Sequence, residues 1–172
     1  MKPDELLTRL AAILPAGTVE VVAVPDEAVI RVDRAHVAQV LQTLRDHVEL
    51  AFEQLTDLTA VDYLGQTPRF EVVYQLNSLS QNHRVRVKVG VPADDSSVPS
   101  AVPLWKAANW AEREVWDQFG IRFVGHPDLR RLLNEERFEG HPLRKDYPVD
   151  RRQVFVPERD PIARPWFPAD RS

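Results

Sequence analysis

Between residues 70 and 91 apolar side chains recur at every second position: Phe70, Val72, Tyr74 and Leu76, then Val85, Val87, Val89 and Val91 across a polar stretch at 78–83. A period of two sustained over both runs is the pattern of an antiparallel strand pair with one buried face. It rules out an all-helical fold and demands a cover for that face. Segments of helical period supply one. Leu7, Leu10, Ala11 and Leu14 form a stripe over residues 4–14, with Pro3 suited to the first turn and Pro15-Ala16-Gly17 as a stop. Val37, Val40, Leu41, Leu44 and Val48 form a second stripe, which Asp33 is placed to cap. A third helix begins near Leu104 and ends at Gly120. Val-rich runs at 18–24 and 28–32 flank Pro25-Asp26-Glu27 as a further hairpin, and residues 50–63 fit either helix or strand. The order implies an α+β fold: a mostly antiparallel sheet with helices packed on one face.

Charge and proline divide the 172 residues into a globular α+β domain over 1–121 and an extended, proline-rich C-terminal arm over 122–172 suited to lie against another protein. The first part carries a net charge of −6 and the second +2, and the second holds seven of the 14 prolines. Each proline removes a backbone donor and disfavours helix at the preceding residue. Phe155, Trp166 and Phe167 are separated aromatic anchors in that arm. Cysteine is absent, which removes disulfides, thiolate zinc sites and the usual ligation of an iron–sulfur cluster. A net charge of −4 gives no basic footprint for nucleic acid. Arg84, Arg86 and Lys88 alternate on one strand face without interleaved aromatics, the pattern of a solvated sheet face. With no long apolar run and no signal-like start, the chain is expected to be soluble, cytoplasmic and without a membrane span.

On the third helix Trp105, Ala108, Asn109, Glu112, Val115, Trp116 and Phe119 share one face, so Glu112 falls inside an apolar stripe, to be partnered by Arg or backbone. Lys106, Trp110, Arg113 and Asp117 line a neighbouring face. Trp110 suits a partner contact, and Arg113 with Asp117 an i,i+4 ion pair. A helix with two aromatic faces is covered on both sides. Asp128 is placed to cap a short turn bearing Leu129 and Leu132, with Arg130 and Arg131 outward. His126, His141 and Asp128 can be drawn as a metal set or, with a carboxylate, as the site of a stand-alone hydrolase. Both histidines precede prolines without a helical partner, and satisfied turn histidines are the better reading. No Gly-rich phosphate loop and no nucleophile elbow exists.

Residues 105–133 read WKAANWAEREVWDQFGIRFVGHPDLRRLL, followed by FEGHPLRKDYP at 138–148. This closely resembles the 30 kDa subunit family, the C subunit, of proton-translocating NADH:quinone oxidoreductase, respiratory complex I, whose signature runs ERE-x-WD-x-FG-[VI]-x-F-x-GHPDL-R-R-[ILM]-L. DLTAVDYLG at 57–65, RFEVVYQLNSL at 69–79 and RVRVKV at 84–89 also resemble the family, so the likeness covers about residues 34–160. The matching positions are Trp105, Trp110, Glu112, Arg113, Glu114, Trp116, Asp117, Phe119 and Gly120 along the helix. Phe123, Gly125, His126, Pro127, Asp128, Leu129, Arg131 and Leu133 follow, then Gly140, His141, Pro142, Arg144, Lys145, Asp146, Tyr147 and Pro148. The resemblance implies a non-catalytic subunit of the hydrophilic arm, peripheral on the cytoplasmic side of the bacterial cell membrane. It would dock beside the D subunit, which holds the quinone site, and the neighbouring iron–sulfur subunits, without being fused to the former. No catalytic, cofactor-binding or metal residue is implied in this chain; flavin and iron–sulfur clusters are expected in partner subunits. Homologous subunits of membrane-bound hydrogenases and other complex I-like oxidoreductases share the pattern.

Overall fold

The structure is a computed structural model that describes residues 2–150 and Gln153. The anchors expected at Phe155, Trp166 and Phe167 lie outside the described residues. In chain order the elements are α1 (Pro3–Ile13), β1 (Val19–Val24), β2 (Glu27–Val32), α2 (Val37–Asp46), β3 (Gln54–Asp62), β4 (Phe70–Ser78), β5 (His83–Val91), β6 (Ser97–Pro99), α3 (Ala108–Phe119) and β7 (Arg122–Val124).

The alternating stretch forms the hairpin β4–β5, with Phe70 opposite Val91 and Ser78 opposite His83. These strands are central in a five-stranded sheet of order β1-β2-β5-β4-β3, antiparallel except for the β2–β5 pair. Residues 54–62, open between helix and strand in the sequence, are edge strand β3. Buried side chains of all three helices meet one face of this sheet in a single core containing Leu6, Leu10, Val40, Leu44, Tyr74, Val87 and Val115. On the other face Lys88 and Arg31 pair with Glu71, and Arg86 pairs with Glu27, while Arg84 is exposed.

Four local expectations need correction. Asp33 does not cap α2; its carboxylate accepts from the Ala35 amide in a turn that precedes the helix, and His36 stands at the N-cap without a side-chain bond. Val48 does not continue the α2 stripe, because the helix stops at Asp46 and leaves this side chain 79% exposed. Helix α3 starts at Ala108 and not near Leu104; Leu104 and Trp105 form separate turns on the Ala101 carbonyl. Trp105 is buried all the same, its indole donating to the Phe52 carbonyl. Finally, the folded part runs past residue 121: Phe123 is in the core, and β7 pairs in parallel with β6.

Candidate functional site

The residues singled out on α3 sort onto two faces. Ala108, Glu112, Val115 and Phe119 face inward, and Glu112 is wholly buried. Its Oε1 accepts from the Ala101 amide at 2.5 Å and its Oε2 lies 2.6 Å from Ser100 Oγ, so α3 is stitched to the segment after β6. No arginine among the described residues reaches it. Burial pushes its carboxyl up to about 7, only partly opposed by those two bonds.

Arg113, Asp117 and Gln118 are buried as well, because residues 125–150 run back over the second face as a strap. The covering expected for that face is provided by this chain itself. Asp117 is the anchor. One oxygen accepts from the amides of Leu132, Leu133 and Asn134, and the other from Asn134 Nδ2 and Arg131 Nη1, the latter at 2.6 Å. Burial alone would raise this carboxyl; the donors from Asn134, Arg131 and Leu133 outweigh it and hold it at about 2. Arg131 then reaches on to the carbonyls of Phe138 and Gly140, which closes the strap on itself. The outward orientation expected for Arg131 is therefore wrong: its side chain is only 12% exposed and belongs to the anchor.

Arg113 does not pair with Asp117, because Arg131 has taken that position. It donates instead to the carbonyls of Arg130 and Arg131, with its guanidinium 5.0 Å from the Trp110 ring centre. Asp128 caps no helix; no helical turn follows it, and its carboxylate accepts from Arg130 Nε.

The two Gly-His-Pro turns do similar work at opposite ends of α3. His126 Nε2 donates to the Asn109 carbonyl while its Nδ1 accepts from the Asp128 amide, which fixes a neutral tautomer. His141 Nδ1 donates to the Asp117 carbonyl, and burial lowers its pKa. The carbonyls they hold are eight residues apart, about 12 Å along the helix. The two histidines are thus kept apart, with only His126 beside Asp128, and among the described residues no group of three His, Cys, Asp or Glu is arranged to hold a metal.

Gly120 sits where helix and strap touch. It has a left-handed φ of 74°, and a Cβ there would fall 2.5 Å from both Arg144 Nη2 and His141 Cδ2. Arg144 donates to the Phe119 carbonyl and lies over the Phe70 ring. Further on, Phe138 stacks with Tyr147. Asp62, at the end of β3, is buried and accepts from Arg69 and the Lys145 amide, and Arg69 also pairs with Asp146. Arg69 and the Lys145 amide hold Asp62 below the usual carboxylate range against its burial. Asp62, Arg69 and Ser100 escape a sequence reading centred on the signature. The available signal is Asp62 itself, an acidic residue closing the alternating run Leu58, Ala60, Asp62 on the buried side of β3.

With Glu112, Arg113, Asp117 and Arg131 turned inward, the strap and α3 still present the apolar side chains of Trp110, Leu133, Leu143 and Val149 to solvent; Trp110 is 62% exposed. The profile of the family described as "Respiratory-chain NADH dehydrogenase, 30 Kd subunit" matches residues 30–153, which holds the hairpin, α3 and the whole strap. The chain belongs to that family. The NADH-quinone oxidoreductase C subunit of Roseiflexus castenholzii is 46% identical over 149 residues, covering 87% of this chain and 86% of the relative. The C subunit of Rhodospirillum rubrum is 46% identical over 145 residues, 84% of this chain and 68% of the relative. A solved structure described as "Nqo5 of the trypsin-resistant fragment (1-134)" superimposes with a TM-score of 0.63 at 31% identity, covering 75% of this chain and all of that one. On this chain the signature residues divide between the anchor with its glycine turns and exposed side chains such as Trp110, Glu114, Asp128, Leu133, Lys145 and Asp146. No helix among the described residues is long and apolar enough to cross a membrane.

Proposed function

We propose that this chain is a structural subunit of NADH:quinone oxidoreductase that docks beside the partner holding the quinone site, peripheral on the cytoplasmic side of the bacterial membrane. Electron transfer from NADH to quinone runs through flavin and iron–sulfur clusters held by partner subunits, and this chain carries no catalytic residue. The observation that carries the reading is the division of labour on α3. Arg113, Asp117, Arg131 and Arg144 are all consumed by bonds within the chain, while Trp110 stays 62% exposed on α3. An exposed tryptophan on a rigid helix, braced by an arginine, is the kind of side chain that dominates interface energies.

The test is affinity purification of the tagged chain from its native membrane, beside a Trp110→Ala variant. Co-purification of the quinone-module subunits by the parent, and loss of most of that recovery in the variant at an unchanged melting temperature, is the expected result. Loss of a central aromatic costs about 2–4 kcal/mol of binding. NADH oxidation or hydrolysis by the isolated chain would overturn the assignment.

A further inference from the structure

We propose that Glu112 is carried as the neutral carboxylic acid, and that loss of its proton loosens the seam between α3 and residues 97–105. The geometry leaves little room for a charge. The carboxyl is wholly buried, its two polar neighbours are an amide and a hydroxyl, and among the described residues it bonds to no cation. A buried carboxylate without a cation is one of the more expensive groups a fold can hold. Among the described residues no charged group of the surrounding elements bonds to Glu112, although Arg45 on α2 donates to the Pro103 and Leu104 carbonyls and Arg34 to the Ser97 carbonyl, at the two ends of the 97–105 segment. Arg113 on α3 is bound to the strap carbonyls, and Asp117 to Arg131. Asp62 on β3 faces Arg69, and Asp57 on the same strand is exposed; Arg122 on β7 is exposed too. From β4 comes Tyr74, wholly buried with a hydroxyl that has no hydrogen-bond partner, and a negative charge on Glu112 would only hold that phenol more firmly protonated.

Ser100 Oγ donates to Oε2 when the carboxyl is charged, and in the neutral form that bond reverses, the carboxyl O–H donating to Ser100 Oγ. The Ala101 amide can only donate, so Oε1 is the carbonyl oxygen and the proton belongs on Oε2, shared with Ser100 Oγ. Ser100 Oγ in turn accepts from the Val102 amide. The acid, the hydroxyl and two backbone amides thus form one short chain that closes the turn leading to Trp105. Burial already places the titration of this group at about 7. Ionisation would put a charge into that chain with no counter-ion, and the response available to the fold is to open the 100–102 turn to water. This inference concerns the isolated chain and stands or falls independently of the assembly reading.

The experiment is a carbon-detected NMR titration of the glutamate carboxyls in the full chain between pH 4.5 and 8.5. Amide hydrogen exchange at Ala101 and Val102 is measured over the same range, on the parent, Glu112→Gln and Ser100→Ala. One carboxyl, absent in Glu112→Gln, should titrate near neutrality, and its titration should move higher in Ser100→Ala, where a bond favouring the charged form is gone. Exchange at Ala101 and Val102, corrected for the intrinsic effect of base, should rise at least tenfold across that titration in the parent and stay flat in Glu112→Gln. If Glu112→Gln does not fold, the parent and Ser100→Ala decide the matter. A Glu112 carboxyl that titrates near 4.5, or corrected exchange that ignores its titration, would overturn the proposal.

Discussion

Glu112 and Asp117 stand five residues apart on one helix, both fully buried, and respond to pH in opposite senses. Asp117 is surrounded by donors, and its pKa lies near 2 in the fold against 3.8 when free. The stability it contributes is present above pH 3.8 and lost as pH falls toward 2, and the gap corresponds to roughly 2 kcal/mol. Glu112 lacks enough donors, and its pKa is raised from 4.5 to about 7. Its fold therefore has full stability below 4.5 and loses roughly 3 kcal/mol as pH rises through 7. In Glu112→Gln the decline in melting temperature between pH 4.5 and 7 should shrink markedly, which a calorimetric pH series would show; an unaltered decline would place the titrating group elsewhere. Asp117→Asn is expected to behave differently. It replaces an acceptor oxygen by a donor facing the Arg131 guanidinium or the strap amides, so at pH 7 it should cost about 3 kcal/mol or more, with that loss shrinking toward pH 2 where Asp117 is itself half neutral.

At the level of elements, α3 and the strap form one unit, and its glycine is the point most sensitive to side-chain size. Gly120→Ala should destabilise by well over about 1 kcal/mol, since the added carbon meets both Arg144 and His141 and the backbone is left-handed. A urea titration would measure it, and a change below a few tenths would contradict the close approach. The same unit shows how far the sequence can be read. Strand period, the two hairpins and the inward position of Glu112 all follow from spacing alone, because burial on one face leaves a periodic trace. The family signature likewise marks which residues matter. It does not say which partner each one takes. Arg113 and Asp117 have ideal helical spacing for an ion pair, yet Arg131 is the residue on Asp117, fourteen positions further along, because only a strap folding back presents three amides and a guanidinium to one carboxylate. Long-range choices of this kind leave no period. Val48 is a similar case: it matches the α2 stripe, but the chain turns away after Asp46 before the stripe can reach it.

For the whole molecule, what matters is that sheet and strap are held by different forces. The sheet and its helices share an apolar core, whereas none of residues 124–150 is buried, and the strap is tied down by hydrogen bonds, ion pairs and the Phe138–Tyr147 stack. Segments with few buried apolar contacts open locally well below the cost of global unfolding. The second tie is Asp62, which holds Arg69 and the Lys145 amide, while Arg69 holds Asp146. Asp62 lies at the end of an edge strand, so removing its carboxylate frees the strap's far end without a cavity in the middle of the core. A hydrogen bond to a charged group is worth about 1.5–3 kcal/mol, and this carboxylate supports several. In Asp62→Ala, trypsin cleavage after Arg137, Arg144 and Lys145 should therefore accelerate roughly ten- to a hundredfold under conditions where the core stays folded. Cleavage within 19–91 should remain slow, because opening the five-stranded sheet requires its whole apolar core. Equal rates for parent and variant, or acceleration in sheet and strap together, would mean that strap and sheet unfold as one cooperative unit, and the separation of forces drawn from the burial pattern would be wrong.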